Sequence, residues 1–184
     1  MFQIWWNESD NIPDVYIPFI EANKRILQQF EYELYTRTKL LKFLDQNQDC
    51  KEKYKKLRFS EYYFQSDFLR MCLLYKLKEA VYIDLDLLLE DSFPELIRRS
   101  FEEFSGKFVL PQNLHYYFLK TENNSKLLEF LLDRYTKLVD AKYDNSVFLP
   151  VLTKEFLKEI VMLNNKTLDK YFRHYCVRHE TKSV

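Results

Sequence analysis

The run Ala80-Val81-Tyr82-Ile83 constrains the fold of this chain more than any other segment. Its side chains are apolar on both alternating faces, whereas a strand with one face in water alternates between apolar and polar residues. Such a strand is typical of a parallel sheet that is covered by helices on both sides. Because strand-like and helix-like stretches alternate along the chain, the sequence predicts an α/β fold with a central, mostly parallel sheet flanked by helices.

Hydrophobic periodicity predicts the elements on either side of this strand. Strands are predicted at FQIWW, at residues 32–34, at KFVL (107–110) and at SVFLP (146–150). Helices are predicted at residues 15–30, from about Thr38 onward, and at 66–78, 126–139, 154–163 and 167–177. Ser66 is predicted to cap the helix that it begins. Residues 45–56, which include KEKYKK, are predicted to form a solvated turn and helix face.

Composition narrows the class of protein. The 184 residues suffice for one domain, 1–184, and are too few for two ordinary domains. Equal numbers of acidic and basic residues, 28 each, argue against nonspecific binding of nucleic acid. With Gly106 as the only glycine, the chain cannot form a phosphate-binding P-loop or the glycine fingerprint of dinucleotide-binding folds.

The cysteines and the apolar runs bear on the compartment. Cys50, Cys72 and Cys176 have no metal-type spacing, and their odd number argues against a disulfide framework. No uncharged stretch approaches the roughly 18 residues of a membrane-spanning helix, and the first residues lack the pattern of a signal peptide. We therefore expect a cytoplasmic protein without a transmembrane segment; peripheral membrane association and oligomeric state stay open.

Asp84 and Asp86 follow directly after the apolar strand. If the backbone is extended there, both carboxylates project to the same side. Two like charges at the end of a buried strand repel each other unless a cation or strong donors compensate. Oxygen ligands of this kind suit Mg²⁺ or Mn²⁺, which leave positions open for substrate phosphates. The alternative interpretation is a chance Asp-x-Asp that faces water.

The stretch SDFLRMCLLYKLKEAVYIDLD, residues 66–86, resembles the sugar-binding region of glycosyltransferases with the DXD motif. These are the bacterial capsule and lipopolysaccharide transferases related to yeast mannosyltransferases and, more distantly, to the glucosylating toxins of clostridia. Their pattern runs S-D-x-x-R, a helix with L-Y, a Gly-Gly pair and Y-x-D-x-D. QIWW, NIPDVYIPFIEANKRI and FEYELYT are similar to the opening segments of the family and come in the same order.

The resemblance implies a GT-A-type fold and a metal-dependent glycosyltransferase that moves a sugar, with retention, from a UDP- or GDP-sugar donor to a glycan acceptor. It implies Mn²⁺ or Mg²⁺ as cofactor, held by Asp84 and Asp86. The implied catalytic residues are Asp84, Asp86 and Arg70. The implied donor-binding residues are Trp5, Ser66, Asp67, Arg70, Tyr82 and Asp84, with Trp5 stacking on the base. His174 or His179 is a further candidate ligand.

The chain also departs from the family pattern, because Lys78, Glu79 and Ala80 stand where the family has Gly-Gly. Two alternatives therefore stay open for the whole protein: an inactive relative that binds a nucleotide sugar, and a noncatalytic helical interaction module. Single residues have alternatives as well. Trp5 would be a core residue. Ser66 and Asp67 would only cap a helix, and Arg70 would be a surface residue paired with a nearby carboxylate.

Overall fold

The computed structural model describes residues 1–57, 62–111, 118–122, 125–138 and 160–174. The strands in this part of the chain are β1 Phe2–Ile4, β2 Glu33–Tyr35, β3 Glu79–Ile83, β4 Leu87–Leu89, β5 Phe108–Pro111, β6 Phe118–Glu122, β7 Ile160–Leu163 and β8 Phe172–His174. The α-helices are α1 Ile17–Ile26, α2 Arg37–Gln46, α3 Gln48–Lys55, α4 Tyr62–Leu77, α5 Phe93–Glu103, α6 Ser125–Leu138 and α7 Asn165–Leu168, and a 3-10 turn, Asp14–Tyr16, precedes α1.

Within the described residues, six strands form one mixed sheet in the order β2-β1-β3-β6-β5-β7. Strand β1 pairs in parallel with β2 and with β3, and β5 pairs in parallel with β7. Strand β6 lies antiparallel between β3 and β5. All strands of this sheet except β6 therefore run in one direction. A second, two-stranded sheet pairs β4 with β8 in antiparallel fashion.

Both faces of β3 are buried, as its sequence predicts. Ala80 and Tyr82 belong to a hydrophobic cluster with residues of α4 and α6, such as Phe68. Val81 and Ile83 belong to a second cluster on the other face, which includes residues of α5, β4 and β5. A sheet with helices on both faces confirms the predicted α/β class.

Several predicted elements are confirmed: the strands at β1, β2, β3 and β5, and the helices at α1, α2 and α6. The helix predicted at 154–163 is wrong where it can be checked, because Ile160–Leu163 is strand β7. The helix predicted at 167–177 is also wrong, since Leu168 ends α7 and residues 172–174 form β8. Pairing with β5 and β4 decides these segments, overriding their local periodicity. SVFLP lies outside the described residues.

Helix α4 differs from its prediction at both ends. Tyr62 already lies in the helix, so Ser66 is an interior residue and not a cap. At the other end, Lys78 follows the last helical residue, Leu77, with φ +62°. This left-handed conformation commonly ends helices and usually belongs to glycine. Lysine thus stands in a glycine-type backbone conformation where the resemblance has Gly-Gly.

Among the described residues, none of the helices combines the length and the apolar character that crossing a lipid bilayer requires.

Candidate functional site

The aspartate pair lies where the chain leaves the main sheet. Strand β3 ends at Ile83, Leu85 and Asp86 form a turn, and β4 begins at Leu87. The extended backbone on which the sequence argument rested therefore does not continue through Asp86. The turn is closed by a long hydrogen bond of 3.4 Å from the Leu87 amide to the Asp84 carbonyl. Both aspartates are nevertheless half-buried on the same side of the protein.

A pocket of about 570 Å³ opens at this place. It lies beyond the carboxyl ends of the parallel strands β1 and β3, the position at which open parallel sheets bind their ligands. Its lining residues are Ile4, Trp5, Trp6, Asn7, Tyr16, Tyr62, Tyr63, Ser66, Arg70, Tyr82, Asp84, Leu85 and Asp86. The fold thus gathers side chains from β1, α4 and β3 that are far apart in sequence.

All but one of the catalytic and donor-binding residues that the resemblance implies line this pocket. They are Trp5, Ser66, Arg70, Tyr82, Asp84 and Asp86. Asp67 is the exception, because it lies behind Arg70, where it pairs with the guanidinium.

Arg70 links two acidic residues inside the protein. Its Nη2 atom lies 3.0 Å from Asp67 Oδ1, and its Nη1 atom lies 3.5 Å from Asp84 Oδ1. Only 11% of the Arg70 side chain is exposed. Burial opposes the charge on the guanidinium, but Tyr82, Asp67 and Asp84 outweigh this effect and raise its pKa. Arg70 is thus a fixed positive charge at the wall of the pocket.

Tyr82 positions both Arg70 and Asp84. Its hydroxyl group donates a hydrogen bond to Asp84 Oδ1, and the Arg70 guanidinium lies over its ring. Burial raises the pKa of the Tyr82 phenol well above its usual value, with a further contribution from Asp84 against the opposing effect of Arg70. The phenol therefore stays protonated and remains a donor to Asp84.

Asp67 is held by two partners. Besides the ion pair with Arg70, its Oδ2 atom accepts a hydrogen bond of 3.1 Å from the Tyr135 hydroxyl group in α6. Burial raises the pKa of the Asp67 carboxyl even though Arg70 and Tyr135 both favour the ionised form. Nothing in the sequence around Tyr135 predicts this contact, because α6 and α4 are brought together only by the fold.

Trp5 forms one side of the pocket and is 9% exposed. Its ring packs against Tyr16 at a centroid distance of 5.6 Å. Its indole Nε1 is buried and has no acceptor among the described residues, so a ligand that brings an acceptor would satisfy it. Burial, followed by the charges of Asp86 and Asp84, raises the pKa of Tyr16 to about 12. Tyr16, which also lines the pocket, is therefore close enough for the charges of both aspartates to affect it.

Three residues that the sequence did not single out hold the aspartate segment, residues 84–89. Gln3 donates from Nε2 to the Asp84 carbonyl at 2.8 Å and accepts at Oε1 from the Tyr32 hydroxyl at 2.6 Å. Asn23 in α1 bonds to the backbone of Leu87 and Leu89. One signal was available for Gln3, since an amide within the apolar run FQIWW must find a partner once it is buried.

The residues of the pocket fit a divalent cation of the magnesium class. Asp84 and Asp86 would provide oxygen ligands, and such a cation often takes only one or two carboxylates and completes its shell with water and phosphate. In the described part of the chain, no group of three or more His, Cys, Asp or Glu side chains could hold a metal ion. The backbone of His174 pairs with Leu87, next to Asp86, whereas His179 lies outside the described residues.

A comparison with protein-family models and with curated proteins found no match for this chain.

Proposed function

We propose that this protein is a metal-dependent glycosyltransferase of the GT-A type that uses a UDP- or GDP-sugar donor. One observation carries the proposal. The two aspartates of the DXD-like motif share a pocket with Trp5, Ser66, Arg70 and Tyr82, which the resemblance assigns to the donor site. The sheet supports the expected fold, because its strands other than β6 run in one direction and helices cover both faces.

The chemistry of the pocket supports the proposed donor. A nucleoside diphosphate brings negative charge, which the two aspartates alone would repel. A cation held by Asp84 and Asp86 would reverse that repulsion and stabilise the diphosphate as it leaves. Arg70 adds a permanent positive charge at the wall of the pocket, and the resemblance assigns this residue to the donor sugar. The aromatic ring of Trp5 and its buried indole N–H suit the nucleotide base.

The experiment is a thermal-shift series with UDP-sugars and GDP-sugars, each with and without Mn²⁺. At a ligand concentration of about a hundred times Kd, binding adds about 2.7 kcal/mol to the free energy of unfolding, which corresponds to a rise in Tm of about 7 °C. We expect this rise only when both the nucleotide sugar and Mn²⁺ are present. We expect Asp84→Asn and Asp86→Asn to abolish it.

The matched control is Asp91→Asn, which removes an exposed carboxylate five positions beyond Asp86 and outside the pocket. This variant is expected to keep the full shift. If no combination of nucleotide sugar and Mn²⁺ changes the Tm of the wild-type protein, the donor site is ruled out. The noncatalytic interaction module then remains.

A second candidate is a protein that binds the nucleotide sugar without transferring it. The observation that favours it is Lys78, which occupies the glycine-type conformation in the segment where the family has Gly-Gly. The two candidates differ in turnover. With a glycan acceptor present, a transferase releases free UDP or GDP in proportion to the sugar transferred, whereas a binding protein shows the Tm shift without that release.

A further inference from the structure

The aspartate segment, residues 84–89, depends on hydrogen bonds from residues outside it. A turn leaves backbone groups without the partners that a strand ladder provides, and buried groups of this kind must be satisfied elsewhere. The bond within the turn, from the Leu87 amide to the Asp84 carbonyl, is long at 3.4 Å and therefore weak.

Gln3 supports the first residue of the segment. Its side chain is fully buried, and its Nε2 atom donates to the Asp84 carbonyl at 2.8 Å. Tyr32 donates to the other end of the same amide, Oε1, at 2.6 Å. Because the hydroxyl of Tyr32 holds the oxygen, the nitrogen of the amide must face Asp84.

Asn23 supports the other end of the turn. It is fully buried in α1, donates from Nδ2 to the Leu87 carbonyl at 2.7 Å, and accepts at Oδ1 from the Leu89 amide at 3.0 Å. A residue in a parallel strand bonds to the same two backbone groups, two residues apart, of its neighbour. The Asn23 side chain thus acts as a neighbouring strand on one edge of β4, while β8 pairs with β4 through residues 172–174.

We propose that Gln3 and Asn23 are positioning residues, which fix the backbone on both sides of Asp86 so that the two carboxylates converge on one cation. This proposal rests on the proposed function. Neither side chain lines the pocket, so both act through the aspartate segment and not on the donor. Partners of metal ligands commonly set metal affinity, and their loss weakens it by about 10–100-fold.

The test uses near-isosteric variants that exchange the donor nitrogen of each amide for a carboxyl oxygen, which also introduces a negative charge when it is ionised. Gln3→Glu still accepts from Tyr32 but places an oxygen against the Asp84 carbonyl. Asn23→Asp still accepts from the Leu89 amide but places an oxygen against the Leu87 carbonyl. We expect each variant to weaken Mn²⁺ binding in the presence of UDP or GDP at least tenfold, measured by Mn²⁺ electron paramagnetic resonance on the folded protein.

Two further variants separate positioning from general destabilisation. Leu128→Ala truncates a buried residue of α6 that has no bond to the aspartate segment, so it should lose stability and keep Mn²⁺ affinity within about twofold. Tyr32→Phe removes only the bond that orients Gln3, and it should give a smaller loss of affinity than Gln3→Glu. If Gln3→Glu and Asn23→Asp bind Mn²⁺ as tightly as Leu128→Ala does, the positioning role is overturned.

Hydrogen exchange distinguishes failure of this proposal from failure of the proposed function. Should the wild-type protein not bind Mn²⁺ with any nucleotide, the proposed function fails. The amides of Leu87 and Leu89 then still report on the segment. If they exchange faster in Asn23→Asp than in Leu128→Ala at equal global stability, the buried amide does hold the segment. If the Leu87 and Leu89 amides exchange at the same rate in both variants, the positioning role is overturned as well.

Discussion

The guanidinium carbon of Arg70 lies 4.4 Å from the centroid of the Tyr82 ring. The Tyr82 hydroxyl group and Arg70 Nη1 both contact Asp84 Oδ1, so one carboxylate oxygen receives a neutral and a charged donor. Asp67 forms an ion pair with the other guanidinium nitrogen, Nη2. Arg70 is therefore the electrostatic centre of the pocket wall, and its loss would leave two carboxylates without their shared counter-charge.

Arg70→Met is predicted to lower the free energy of unfolding by about 3 kcal/mol, because removing one partner of a buried ion pair leaves the other charge uncompensated. Arg70→Lys should lie between this variant and the wild type, since a single ammonium group cannot reproduce the planar fork. Urea unfolding measures both effects. The control is Arg99→Met, because the ion pair of Arg99 with Glu103 is about half exposed and its loss should leave the free energy of unfolding nearly unchanged. Equal losses in the two methionine variants would contradict the prediction.

Tyr135→Phe is predicted to raise the pKa of Asp67 further, because it removes a hydrogen bond to the ionised carboxylate. A carboxyl whose pKa is raised in the fold keeps its proton longer than in the unfolded chain, so stability falls as pH rises from about 4 to the pKa of the folded state. The variant should extend this fall to higher pH. Carbon-13 NMR titration of Asp67 and unfolding from pH 4 to 7 measure it.

At neutral pH the same variant should cost about 1 kcal/mol of stability, the usual value of one hydrogen bond. Tyr63→Phe is the control, because Tyr63 is 57% exposed and, among the described residues, no hydrogen bond links its hydroxyl group to Asp67. An Asp67 titration that is identical in Tyr135→Phe and in the wild type would show that the hydroxyl group does not favour the ionised carboxylate.

Lys78→Gly is predicted to increase the free energy of unfolding by about 1 kcal/mol, because glycine adopts φ +62° without the steric cost that a side chain brings. Leu77→Gly is the matched control. It changes the preceding residue, which is helical, and should lower stability by a similar amount. Chemical denaturation of both variants tests the opposite signs. A loss of stability in Lys78→Gly would mean that the lysine side chain contributes more than its backbone strain costs.

Tyr32→Phe is predicted to change the response of stability to alkaline pH. Burial, followed by the charges of Glu21 and Glu33, raises the pKa of the Tyr32 phenol. Above about pH 10 the phenol ionises in the unfolded chain first, so its contribution to stability falls with pH, by at most about 1.4 kcal/mol per pH unit. The phenylalanine variant has no phenol to ionise, so its stability does not fall for this reason. The stability gap between wild type and variant should therefore shrink above pH 10, and a constant gap from pH 8 to 12 would contradict the prediction.

Local patterns in the sequence determined the fold class and drew attention to the charged residues of the pocket wall. The apolar run at β3 implied a strand buried on both faces, and therefore an α/β fold, because periodicity reports which faces of an element avoid water. The spacing of Asp67 and Arg70 put them one helical turn apart, the separation at which they form their ion pair. Asp84 and Asp86 stood out because paired charges directly after a buried strand need compensation.

Only the tertiary structure decided what supports those residues. Gln3, Asn23 and Tyr135 reach their partners across 64 to 81 positions of sequence, and no local pattern encodes which distant backbone group a buried amide or hydroxyl will meet. The same holds for β7 and β8, which are strands because β5 and β4 offer them an edge. Periodicity determines burial, whereas the partner of each buried polar group depends on how the chain brings its elements together.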